Sequence, residues 1–156
     1  MASRNLSLNL HDADHTAGLA RTLGRVLEPG DTILLTGNVG AGKTHFARAL
    51  ILSLLSHPED IPSPTFTLVQ TYESTRGMIW HADLYRLSSS YEVEELGLSD
   101  AFHDAICLVE WPDRLGSLSP DHALELAIEA TGDETREITA SWTNKKWSKK
   151  LDGWAP

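Results

Sequence analysis

The chain has 156 residues, a length that predicts a single domain over residues 1–156 with its own core and no second catalytic domain. Its 41% hydrophobic and 22% charged residues describe a folded soluble protein and argue against long disorder. Thirteen Lys and Arg against 22 Asp and Glu give a formal net charge of -9, so the average surface repels a nucleic-acid backbone, and any nucleic-acid role is expected to run through a partner.

Residues Leu6 to Leu10 alternate apolar and polar and predict a short strand. In DADHTAGLARTLGRVLEPGD, Ala17, Leu19, Ala20, Leu23, Val26 and Leu27 recur at the period of an amphipathic helix, ended by Pro29 and Gly30. TILLT predicts a buried strand, and Thr44 to Leu55 a helix that stops at His57 and Pro58. Pro58, Pro62 and Pro64 stiffen the next segment into a loop. TFTLVQTYE and MIWHADLYRL, parted by STRG, predict a hairpin-like pair of strands.

SSSYEVEELGLSDAF opens on capping serines and predicts one helix or two short ones. ICLVEW predicts a third buried strand with PDRL opening a loop behind it, and HALELAIEA and REITASW a hairpin about TGDET. In the tail, 143–156, Trp147, Leu151 and Trp154 share one helical face, the pattern of a short docking helix with its tryptophans on the sheet and Lys145, Lys146, Lys149 and Lys150 solvated. Cys107, the single cysteine, lies in the apolar run ICLV; it excludes an intramolecular disulfide and predicts a buried small side chain. The N-terminus carries no apolar leader and no apolar window of about 18 residues exists, so a cytoplasmic protein with no membrane contact is expected.

TGNVGAGKTHF, Thr36 to Phe46, contains G-x-x-x-x-G-K-[ST] at Gly37, Gly42, Lys43 and Thr44. Glycines let the backbone wrap so that successive N–H groups face a β-phosphate. Lys43 neutralises β and γ oxygens, and the Thr44 hydroxyl binds Mg2+. The loop follows a predicted strand and opens a predicted helix, the setting this motif requires.

In a parallel sheet the ligand sits at the carboxyl ends of the strands, where Asp83 and Glu110 stand. Alternation places His81, Asp83 and Tyr85 on one face of their strand, and Ile106, Leu108 and Glu110 on one face of theirs. Magnesium takes hard oxygen ligands and keeps several waters, so Thr44 with one or both carboxylates suffices. Which carboxylate holds the metal and which orients water stays open at this level. Thr65 and Thr67 follow the rigid Pro64 where a γ-phosphate-sensing loop would lie; an edge connection into the next strand is the alternative.

Together SLNL with HTAGLARTLG, TGNVGAGKT, SPTFTLVQTYE, HADLYRL, EELGLSD and ICLVEWPDRL resemble the bacterial TsaE family, small P-loop ATPases of tRNA threonylcarbamoyladenosine biosynthesis. The resemblance spans most of the chain and is weakest in the tail. It implies an α/β fold, a P-loop NTPase-type three-layer sandwich with a mixed, mainly parallel central sheet. It also implies that ATP and Mg2+ are bound, and that the partners are TsaB and TsaD, through which tRNA is reached indirectly.

Carried over by position, Gly37, Gly40, Ala41, Gly42, Lys43, Thr44 and His45 bind phosphates, and Thr44 and Glu110 attend the metal. Asp83 acts near the γ-phosphate, Thr65 and Thr67 form a switch-like loop, and Trp111 reports or stabilises the nucleotide state. Lys43, Asp83 and Glu110 are the expected catalytic residues, with Asp83 a further candidate metal ligand. Two positions depart from the family: Asn38 stands where an acidic residue is frequent and His45 where a second Thr is common. Thr16 and Arg136 are candidate adenine contacts.

A GTPase would need N-K-x-D, and the nearest string, Asn144-Lys145-Lys146-Trp147, ends in Trp. A small-molecule kinase is the main rival. It needs an arginine-rich lid, and Arg86, Arg114 and Arg136 are scattered. A third class is a binding module that uses ATP as structural glue. Contact of the tail lysines with tRNA is the alternative to a docked tail, and lack of an arginine finger implies slow hydrolysis that partners stimulate.

Overall fold

The computed structural model describes residues 3–154. A seven-stranded sheet has the order β1-β7-β6-β2-β5-β4-β3. The strands are β1 (Arg4–Leu10), β2 (Thr32–Thr36), β3 (Val69–Ser74), β4 (Gly77–Asp83), β5 (Ile106–Glu110), β6 (Leu124–Ala130) and β7 (Arg136–Trp142). The inner strands β6, β2, β5 and β4 are mutually parallel, while β1–β7, β7–β6 and β3–β4 pair antiparallel, so β7 and β3 alone run against the rest. The sheet is mixed and mainly parallel, as expected.

Helices cover both faces. On one face α1 (Ala13–Gly24), α2 (Lys43–Leu54) and α5 (Lys145–Lys150) pack against Ile33, Leu35, Ile79, Leu108 and Leu126. On the other, α3 (Ser90–Glu95), α4 (Leu98–Asp104) and a 3-10 segment Pro112–Leu118 pack against Leu34, Cys107 and Val109. The central strands β2 and β5 are buried on both faces, which is why TILLT and ICLVE are continuous apolar runs, whereas β6 alternates buried and exposed residues.

Several boundaries differ from the sequence expectation. Helix α1 stops at Gly24; Val26 N and Leu27 N bond to Leu23 and Gly24 carbonyls three residues back, so the apolar period continues through a tighter turn to Pro29. Strand β3 begins at Val69, because Thr65 and Thr67 belong to a turn closed by Leu68 N to the Pro64 carbonyl, with Leu68 at φ 70°. Strand β4 ends at Asp83, leaving Tyr85 beyond it and not on its face. PDRL winds into the 3-10 segment with Pro112 at its start. SSSYEVEELGLSDAF forms two helices, broken at Gly97 with φ 84°.

Trp147, Leu151 and Trp154 are buried in the core as their spacing predicts. The tail lysines are not all solvated: Lys146 Nζ lies 2.8 Å from Asp31 Oδ1 and Lys150 also pairs with Asp31, a carboxylate 1% exposed. Cys107 is fully buried, and burial pushes its thiol up to about 12. Among the described residues no helix is long and apolar enough to cross a membrane.

Candidate phosphate and metal site

The loop between β2 and α2 turns back on itself at glycines. At Gly37, φ is 147° and an added Cβ would stand 2.4 Å from the Ile128 carbonyl oxygen, so only glycine fits where the loop crosses β6. Gly42 caps α2 at φ 107°. The first N–H groups of this 12-residue helix have no intrahelical acceptor and present a positive end to an anion.

Lys43 folds over the loop. Its Nζ donates to the Gly37 carbonyl and, at 3.2 Å, to the Asn38 carbonyl, and lies 4.1 Å from the centroid of the Trp111 ring. Desolvation lowers its pKa, opposed by the negative charges of Glu110 and Asp83.

Both carboxylates converge on this place. Asp83 and Glu110 end adjacent parallel strands in direct register and are 5% and 2% exposed. The Thr44 hydroxyl donates to Glu110 Oε1 at 2.8 Å, and His81 Nε2 lies 2.7 Å from Glu110 Oε2. Asp83 accepts from the Thr65 hydroxyl at Oδ2 (3.1 Å) and from the Tyr85 N–H at Oδ1 (3.0 Å). A groove of about 370 Å³ runs over Lys43, Thr44, Thr65, Asp83, Glu110 and Trp111. The donor set, one hydroxyl and two carboxylates, is all oxygen and fits magnesium.

Backbone strain concentrates here. The non-glycine residues with positive φ among those described are Leu68, which ends the Thr65 turn, and Trp111, at φ 59° directly after Glu110. Such a conformation costs on the order of 1 kcal/mol. It turns the Trp111 indole over Lys43 and against Tyr85, ring centroids 4.8 Å apart.

The remaining expected residues divide. Gly40 and His45 line the groove. Thr67 does not: it is exposed and accepts from Gln70 Nε2 at 2.9 Å. Arg136 holds the back of the loop, donating from Nε to the Ala41 carbonyl at 2.8 Å. Thr16, Ala41, His45 and Arg136 meet in a recess of about 250 Å³ beside the loop, where His45 Nε2 donates to the Ala13 carbonyl at 3.0 Å. A larger groove of about 500 Å³ lies on the loop's other side, but Glu129 and Glu137 line it and would repel phosphate.

Sequence reasoning missed the bond from His81 to Glu110 and the Arg48 side chain, whose Nε donates to the Ile61 carbonyl at 2.8 Å and ties the proline-rich loop to α2. His81 was within reach, since it shares a strand face with Asp83.

Comparison with known proteins agrees with this geometry. The family model described as threonylcarbamoyl adenosine biosynthesis protein TsaE matches residues 10–138. The chain belongs to the TsaE family. Curated TsaE proteins similar to it include that of Rickettsia felis, 37% identical over 145 residues, covering 93% of this chain and 84% of that one. The Bacillus subtilis TsaE is 35% identical over 127 residues, covering 81% of this chain and 78% of the other. A crystal structure of Bacillus subtilis YdiB superposes with a TM-score of 0.81 at 26% identity, covering 99% of this chain and 96% of that one. The matched span of the TsaE family therefore holds the loop, both carboxylates and Trp111.

Proposed function

We propose that the protein is an ATP-hydrolysing accessory factor for threonylcarbamoylation of the tRNA adenosine next to the anticodon, acting with TsaB and TsaD. The curated relatives carry the name tRNA threonylcarbamoyladenosine biosynthesis protein TsaE. The observation that carries the hydrolytic part is the bond between Thr44 and Glu110, with Asp83 in register beside it at the foot of the glycine-rich loop.

ATP is the substrate. The N–H groups from Gly40 to Thr44 receive its phosphates, and Lys43 exchanges the Gly37 and Asn38 carbonyls for β and γ oxygens. Thr44 and Glu110 would hold Mg2+, with Asp83 a further candidate ligand, and the ion when bound would neutralise phosphate charge. Asp83, held through Thr65 and the Tyr85 N–H, orients the attacking water. The recess at Thr16, His45 and Arg136 takes the adenine.

No arginine lines the groove among the described residues: Arg114 pairs with Asp113 at 2.7 Å and Arg86 lies over Phe66. That disfavours a kinase with its own lid and favours slow hydrolysis stimulated by partners. The test is loss of γ-phosphate from ATP, alone, with TsaB and TsaD, and with small-molecule acceptors. Stimulation by the protein pair and by no acceptor supports the proposal; stoichiometric phosphorylation of an acceptor replaces it with the kinase.

A further inference from the structure

We infer that His81 is a positioning residue that aims Glu110 at the Thr44 hydroxyl; the inference rests on the nucleotide reading above. Glu110 is held at two points from two elements, Oε1 by Thr44 on α2 and Oε2 by His81 on β4. A glutamate has three side-chain torsions, and one hydrogen bond leaves them room to move. Two bonds in opposite directions fix the carboxylate plane.

The imidazole spends itself on this one contact. His81 is completely buried, its Nε2 meets Glu110 Oε2 at 2.7 Å, and its Nδ1 is buried with no hydrogen-bond partner among the described residues. A carboxylate oxygen accepts, so the hydrogen in this contact sits on Nε2 and is donated to Glu110. Among the described residues its one polar side-chain contact is to the carboxylate that also meets Thr44. The register explains the reach: His81 lies opposite Leu108, one pleat before the paired ends Asp83 and Glu110, on the same sheet face as Glu110.

The experiment uses the full chain and a fluorescent ATP analogue. Affinity is measured with and without Mg2+, alongside kcat and KM in the presence of TsaB and TsaD. His81→Leu keeps the volume and loses the donor. It is expected to retain metal-free affinity, lose most of the gain that Mg2+ brings, raise KM in step with that loss, and lower kcat by about tenfold or more, the range for residues that orient metal-site groups. His81→Gln, whose amide nitrogen falls near the Nε2 position, restores the Mg2+ gain. His81→Asn, whose nitrogen falls near Nδ1, does not.

Equal behaviour of the Leu and Gln variants, or rescue by Asn as complete as by Gln, overturns the inference; should the Leu variant melt below assay temperature, the Gln and Asn pair decides. Lys43→Ala separates the two levels. If it leaves analogue binding unchanged, the nucleotide reading fails; if it abolishes binding while His81→Leu retains the full Mg2+ gain, the His81 inference alone fails.

Discussion

The Thr44 hydroxyl donates to Glu110 Oε1 across 2.8 Å, joining the first turn of α2 to the carboxyl end of β5. These residues are 66 apart in sequence. Under the proposed function this contact adds a metal side to the phosphate loop and gives Lys43 and Glu110 different roles. Glu110→Ala is expected to lower kcat by about 100-fold or more while ATP still binds; Lys43→Ala is expected to remove most of the binding. Equilibrium titration and single-turnover hydrolysis on the same preparations distinguish these outcomes, and equal loss of affinity in both variants would contradict the assignment.

The two threonines after Pro64 are expected to behave differently. Thr65 donates to Asp83 and lines the groove, whereas Thr67 is turned to solvent and Gln70. Thr65→Val should reduce partner-stimulated hydrolysis by about tenfold, the loss of one hydrogen bond to a charged group, and Thr67→Val should change it by less than about twofold. Parallel steady-state assays check this.

Trp111 is expected to report occupancy. Lys43 lies over its ring, so drawing the ammonium onto phosphates removes a cation from the indole face. Intrinsic fluorescence should change on adding ATP and Mg2+, and Trp111→Phe should abolish the change although four of the five tryptophans remain.

The phosphate loop was legible because its residues are contiguous and each has a local reason. Asp83 and Glu110 were legible because buried parallel strands read as apolar runs and a charge at their end stands out. The strand expected from TFTL, whose β-branched and aromatic composition suits one, is a turn closed by Leu68 at positive φ, and within it Thr65 meets Asp83 while Thr67 faces solvent. The bond of His81 to Glu110 and of Asp31 to two tail lysines escaped because both depend on which strands and helices become neighbours. Periodicity tells which face a residue takes and nothing about the charge it meets.

That second pairing bears on the tail. Asp31 is buried with Lys146 and Lys150 against it, so Lys146→Ala with Lys150→Ala leaves a buried carboxylate with the Glu28 N–H but no cation to balance its charge. The double variant is expected to lose about 3 kcal/mol of stability, read by urea denaturation. Reversing the exposed Lys145 and Lys149 should leave both stability and tRNA-dependent hydrolysis within error. A selective loss of the latter would place tRNA on the tail.

Cys107 gives a pH-dependent prediction. Burial raises its folded pKa from 9.0 to about 12, so the neutral thiol stabilises the fold fully below about pH 9. That contribution falls as pH rises through the window from 9 to 12, by up to about 1.4 kcal/mol per unit, because only the unfolded chain ionises there. At pH 8 the native thiol should resist an aromatic disulfide reagent and react on unfolding in urea.

On the proposed function, hydrolysis at the Thr44–Glu110 site drives repeated tRNA modification. Threonylcarbamoyl transfer to tRNA by TsaB and TsaD should be followed over many turnovers without this protein, with it, and with its Glu110→Ala variant. Sustained turnover with the native chain alone, and arrest near the level without it for the variant that still binds ATP, is the expected result. Full turnover with Glu110→Ala would contradict the claim and reduce ATP to structural glue.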